Sequence, residues 1–115
     1  MIKIEKFKIG MEEDLWKVHH SAVRFGCKND YSEKQLDKWV PNKYQPLLWN
    51  ERIRKINPFV AFEGSTIVGY ADIQANGYID HFFVHGNFQN KGIGSVLMLK
   101  ILKNCDAMDL IYSHV

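Results

Sequence analysis

The sequence predicts one α/β domain over residues 1–115, in which a mixed, mostly antiparallel sheet of about five strands is flanked by helices. Three observations carry that expectation. From Phe59 to Val84, short apolar runs are separated by glycine-containing turns, the pattern of a strand meander. On either side of it, Leu15, Val18, Ala22 and Val23, and then Ile93, Val96, Leu97 and Ile101, recur at helical spacing. No internal repeat, Gly/Ser tract or Pro-rich linker divides the chain.

Ile2, Ile4 and Phe7, separated by charges, read as a first strand that ends near Gly10, and Met11 to Val23 as the helix that follows it. Ser32 with Gln35 three positions later forms a capping box ahead of Leu36, Trp39 and Val40, so a short second helix is expected to start there and stop at Pro41. A further helical stretch covers Leu48 to Ile56. Phe59–Phe62 reads as a strand, Glu63–Gly64–Ser65 as a tight turn and Thr66–Gln74 as a second strand. Asn76-Gly77 supplies the positive φ that the next turn needs. Tyr78–Val84 is apolar on both faces, which predicts a central strand of a covered sheet. After a polar loop, Gly92 to Asn104 predicts a helix with a broad apolar face, and Leu110–Tyr112 a last strand.

Composition excludes several classes of function. With 15 Lys+Arg against 13 Asp+Glu the formal charge is +2, too even for a nucleic-acid surface. The apolar runs are four or five residues long, far short of the roughly 20 that span a bilayer, so no membrane partner is expected. Met1 to Lys6 alternates charged and aliphatic residues and has no h-region of a secretory signal. Cys27 and Cys105 lack CxxC spacing, which points to reduced thiols in a cytoplasmic protein.

The segment richest in chemistry runs from His85 to Ser95, between the expected buried strand and the apolar helix. Glycines at such a junction uncover backbone amides, and the first amides of a helix have no intrahelical acceptor. With the positive end of the helix dipole, Asn90 to Ser95 becomes a natural site for a phosphate or pyrophosphate. From His85 to Cys105 there are three lysines and no carboxylate, which also favours an anion. The segment is not a P-loop, because neither Gly92 nor Gly94 is followed by Lys. It matches only the first half of the dinucleotide fingerprint, without the preceding strand–helix–strand unit.

Gln89-Asn90-Lys91-Gly92-Ile93-Gly94 resembles the [Arg/Gln]-x-x-Gly-x-[Gly/Ala] signature of the GCN5-related N-acetyltransferase (GNAT) family, and Tyr78–Val84 and Val68-Gly69-Tyr70 resemble the two strands ahead of it. The stretch Tyr31-Ser32-Glu33-Lys34-Gln35-Leu36-Asp37-Lys38-Trp39 is similar to small bacterial members of that family. The resemblance implies a GNAT-like fold and acetyl-CoA as co-substrate. It implies that the pyrophosphate is held by amides of Gln89, Asn90, Lys91, Gly92, Ile93, Gly94 and Ser95. The pantetheine arm would lie along the strand edge at Phe82, Phe83 and Val84, and an amide near Val84 would polarise the thioester carbonyl.

Acetyl transfer to a primary amine also needs a proton acceptor, because an alkylammonium of pKa about 10.4 is not nucleophilic at neutral pH. Asp80 is the first candidate, as a carboxylate in an apolar strand whose pKa burial would raise. His81 is the second, although a packed core histidine is the plainer reading. Strand alternation sends the two to opposite faces, so one of them at most faces the reaction centre. His19-His20, His85 and His114 have no metal-ligand spacing. Trp16, Phe25, Tyr31, Trp39, Tyr44 and Trp49 fall where this family assembles its acceptor site, but core packing accounts for most of them. The Arg52–Lys55 run reads as a solvated helix face.

One departure from the family stands out. Its fold continues with another helix and two strands, and a later tyrosine commonly protonates the leaving thiolate, whereas this sequence stops at Val115. The fold is therefore expected to be C-terminally incomplete, with an open edge near Leu110–Tyr112 covered by a homo-oligomer or a partner chain. A non-catalytic CoA-binding or interaction subunit is the alternative to an enzyme.

Overall fold

The structure, a computed structural model, describes residues 1–27, 32, 34 and 43–107. The expected second helix and last strand, with Tyr31 and Trp39, lie outside the described residues. In order, the elements are β1 (Ile2–Lys6), α1 (Glu12–Cys27), α2 (Pro46–Ile56), β2 (Phe59–Glu63), β3 (Thr66–Ala71), β4 (Phe82–Val84), a 3-10 turn (Gly86–Phe88) and α3 (Ile93–Ala107). The four strands form an antiparallel meander in the order β1-β2-β3-β4.

The helices begin and end for local reasons. Glu12 caps the start of α1, where its carboxylate accepts the Gly10 amide at 2.7 Å, and Glu13 and Asp14 complement the dipole. Pro46 opens α2 and Asn57 closes it in the left-handed conformation at φ 46°, its amide donating to Ile53 O. Glu12 also accepts Arg54 Nε at 2.7 Å, and its main-chain carbonyl accepts Trp49 Nε1 at 2.8 Å, so α1 and α2 are tied at one point.

The sheet buries both faces. On one, Ile93, Leu97 and Ile101 of α3, four residues apart, pack on Phe59, Ala61, Val68 and Ala71. On the other, Leu15, Val18 and Ile53 cover Val60 and Tyr70. The register shifts between Ala61 and Phe62, which leaves Val68 as the extra residue of a bulge and turns both Val68 and Gly69 toward α3. At Gly69 a Cβ would stand 3.0 Å from Phe83 O and 3.3 Å from Leu97 Cδ1, so glycine lets the helix sit close on the sheet.

Two expectations about strands are corrected. The strand predicted over Thr66–Gln74 ends at Ala71, and the one predicted over Tyr78–Val84 is regular only from Phe82. The cause is Asp72, which is fully buried and whose Oδ1 accepts the amides of Asp80 at 3.1 Å and His81 at 2.5 Å. A side chain thus takes the place of ladder carbonyls, and the chain peels away from β3. Among the described residues β4 pairs only with β3, so its apolarity on both faces reflects helices above and below rather than a central place in the sheet.

Candidate functional site

Two cavities flank β4. The first is a cleft of about 440 Å³ walled by Phe82, Phe83 and Val84, then Phe88, Gln89, Asn90, Gly92, Ile93, Gly94 and Ser95, with Ala22 of α1 opposite. It brings together every residue that the sequence suggested for anion and acyl binding except Lys91, which is exposed with its Nζ 5.3 Å from the Phe88 ring centroid.

Backbone conformation explains this cleft. Asn90 and Gly92 take positive φ, 63° and 80°, which turns the chain sharply into α3. The first helical bond of α3 runs from Val96 N to Gly92 O, so the amides of Gly92, Ile93, Gly94 and Ser95 all precede it and point toward the cleft end of the helix. Gln89 Nε2 donates to Val84 O at 2.6 Å and holds the loop against the strand. The register is set by Asp72 N donating to His81 O and His85 N donating to Val68 O. Alternate residues of β4, Phe82 and Val84, therefore turn their backbone groups to the outer edge, and the Val84 amide remains there as a donor.

The loop is anchored on its other side by α1. Ser21 Oγ accepts the Gly86 amide at 2.8 Å and lies 3.3 Å from His85 Nδ1, which also accepts the Asn87 amide at 3.1 Å. Burial lowers the His85 pKa, consistent with Nδ1 serving as an acceptor. A Cβ on Gly86 would meet Ser21 Oγ at 2.8 Å and Phe25 Cβ at 3.1 Å, so the glycine is required by the close approach of the helix.

The second cavity, about 300 Å³, is lined by Trp16 and His19 of α1, Leu48, Trp49 and Arg52 of α2, Lys43 and Gln45, and His81. His19 centres a ring cluster, 4.7 Å from Phe83, 5.1 Å from Trp49 and 5.8 Å from His81 between centroids. Behind it, Tyr70 Oη lies 2.8 Å from His81 Nδ1, with both side chains buried. Burial pushes the Tyr70 hydroxyl well above its usual pKa, so it stays protonated and fixes the ring while Nε2 is left for other partners.

Burial, then the field of Arg52, lowers the His81 pKa, against the opposing pull of Asp80 and Asp72. Burial first, then His81 and Arg52, takes His19 down to about 4. Both imidazoles are thus neutral at pH 7.

Asp80 does not have the buried setting expected of it. It is exposed, its Oδ2 lies 3.5 Å from Arg52 Nη2, and it lines a separate groove beside Lys55 and Tyr78. Asp72 holds both amides, and Asp80 and His81 line different cavities, although neither lies in the regular part of the strand. The sequence marks His19 only as lacking metal-ligand spacing and Arg52 as part of a solvated helix face, and it assigns no role to Tyr70 or Asp72. Of these only Asp72 carries a local signal, an isolated carboxylate ending an apolar strand; the rest meet across three elements.

A family model described as an acetyltransferase (GNAT) domain matches residues 27–112. An uncharacterized N-acetyltransferase of Escherichia coli (strain K12), YafP, is 25% identical over 103 residues, which span 90% of this chain and 67% of that protein. Among solved structures, the PaiA N-acetyltransferase from Thermoplasma acidophilum in complex with coenzyme A superposes with a TM-score of 0.75 at 24% identity, covering 96% of this chain and 75% of that one. A GNAT family acetyltransferase from Brucella melitensis in complex with acetyl-CoA gives a TM-score of 0.61 at 18% identity, over 93% of this chain and 70% of that one.

Proposed function

The chain belongs to the GNAT acetyltransferase family, and on that premise we propose that it moves the acetyl group of acetyl-CoA directly to the primary amine of a small acceptor. The observation that carries this reading is the position of β4 between two cavities, one rich in open amides and the other walled by His81. The donor set of the first suits a pyrophosphate: four helix-start amides, the Ser95 hydroxyl and the nearby Lys91, with no carboxylate among the lining residues. Phe82 and Phe88 offer apolar walls for the pantetheine arm, and the outer backbone groups of Phe82 and Val84 suit its amides.

Acetyl-CoA, when bound, supplies a thioester carbon open to attack. The Val84 amide, aimed at the outer edge, would stabilise negative charge developing on the carbonyl oxygen. His81, neutral and oriented by Tyr70, would accept the proton of the attacking amine at Nε2 as the C–N bond forms and the C–S bond breaks. Its buried seat beside β4 supports it as the base over Asp80, whose exposed pairing with Arg52 suits a positioning role instead. A thiol of ordinary pKa near 8.5 can leave as the thiolate and take its proton from water.

Calorimetric titration of acetyl-CoA, with ADP and desulfo-CoA as controls, tests the first cavity, and thiol release with an amine panel tests the second. Saturable binding with turnover that is lost in His81→Ala is the expected result. Absence of binding would overturn the reading, and binding without turnover would leave a CoA-binding protein.

A further inference from the structure

We propose that the acceptor is a small amine carrying a carboxylate on an apolar body, seated in the aromatic cavity with its carboxylate at Arg52 and Lys43 and its amine at His81. The inference rests on the acetyl-transfer reading and deepens it.

Charge is the first argument. Among the described residues that line the cavity, two are cations and none is a carboxylate, although the whole chain is only +2. A polyamine would find no carboxylate among these lining residues for its second charge. Arg52 is available to a ligand: its side chain is 58% exposed and its tie to Asp80 is a single contact of 3.5 Å. A guanidinium has five N–H donors in a planar fork, so one such contact leaves room for a carboxylate, the anion it grips best.

Shape is the second. Trp16, Leu48 and Trp49 supply apolar wall, and a volume of about 300 Å³ suits a single small molecule. Of the named walls, His81 directly precedes β4 in the chain and His19 touches the Phe83 ring of β4, so the amine is placed at this histidine end. Electrostatics link the two ends. The positive field of Arg52 holds down the proton affinity of His81, so an acceptor carboxylate that neutralises Arg52 would make His81 a better base only when the right substrate is present.

The test reads tryptophan fluorescence, because Trp16 and Trp49 form the walls, while L-phenylalanine, phenethylamine and spermidine are titrated in turn. L-Phenylalanine should bind about tenfold tighter than phenethylamine, and Arg52→Gln should shrink that preference to about threefold or less. Lys43→Gln, at an exposed position, should shrink it in part. Equal or tighter binding of phenethylamine or spermidine, or no response to any of the three, would overturn the assignment. Acetyl-CoA is titrated separately by calorimetry. Its failure alone would remove the transferase reading, whereas acetyl-CoA binding without a carboxylate preference would remove the acceptor class alone.

Discussion

Tyr70 Oη and His81 Nδ1 meet at 2.8 Å inside the core, so the histidine that precedes β4 in the wall of the aromatic cavity has a fixed ring orientation. The hydroxyl oxygen accepts from Nδ1–H, which leaves the Nε2 lone pair free, and it binds a charged imidazole more strongly than a neutral one, so it favours proton uptake relative to an empty pocket. Tyr70→Phe should lower the His81 pKa further, moving the acid limb of the pH–rate profile, and the imidazole resonances in an NMR titration, to lower pH. It should also cost about 1–3 kcal/mol of stability through the buried Nδ1 left without a partner. An unmoved titration in a folded variant would show that the contact does not govern His81.

Asp72 reaches the same histidine by another route. Its carboxylate accepts two successive main-chain amides, of Asp80 and His81, and also Gln74 Nε2. Asp72→Ala should destabilise the fold by about 2–3 kcal/mol, because buried donors lose a charged acceptor. Asp72→Asn keeps one acceptor oxygen and should recover part of that loss. Urea midpoints of the three proteins check the order, and equal midpoints would mean that the peeled segment does not depend on this side chain.

What the sequence disclosed and what it hid follow from how far each signal reaches along the chain. The anion cleft was legible because its glycines, its apolar helix and its strand are consecutive, and Asn90 and Gly92 announce the sharp turn. The core of α3 was legible because Ile93, Leu97 and Ile101 repeat within one helix. The early end of β3 was not, since alternation in Thr66–Gln74 continues past the point where the Asp72 side chain replaces the ladder. The aromatic cavity was legible only in part: resemblance places Trp16 and Trp49 near an acceptor site, with core packing as the plainer reading, but it does not place the cavity's histidines there. His19, Trp49 and His81 are separated by about thirty residues each, and nothing in the local pattern around His19 distinguishes a cavity wall from an ordinary helix face.

His19 gives the fold a pH dependence whose sign can be worked out. Its pKa falls from 6.5 in the unfolded chain to about 4 in the folded one, so between those values the unfolded state binds more protons. Stability is then fully present above pH 6.5 and is lost as the pH falls toward 4. The lowered His81 acts in the same direction. Glu12 acts at lower pH: burial opposes its charge, but the amides of Glu12 and Gly10 and the Arg54 side chain outweigh that and hold its pKa down. His19→Phe should flatten the dependence of the urea midpoint on pH between 6.5 and 4. A wild-type midpoint that is flat across the same interval would contradict a half-buried neutral His19.

Gly94 separates binding from folding. It lies in the first turn of α3 and on the wall of the anion cleft, and a Cβ there would meet nothing closer than Phe82 Cε1 at 3.6 Å, an ordinary contact. Unlike Gly92, it does not take a positive φ, so a larger residue brings no backbone strain. Gly94→Leu should therefore fold with a midpoint near that of the natural sequence, while its side chain fills the space before the amides of Gly92 to Ser95. Acetyl-CoA affinity should fall by about a hundredfold or more, the loss of roughly two pyrophosphate hydrogen bonds to backbone donors. Gly92→Ala makes the complementary variant, since it leaves the cleft open but strains a residue held at φ 80°. It should lower the thermal midpoint by more than Gly94→Leu does and weaken acetyl-CoA by less. The reverse order, with affinity kept in Gly94→Leu and lost in Gly92→Ala, would mean that the loop conformation matters and the helix-start amides are not the anion's seat.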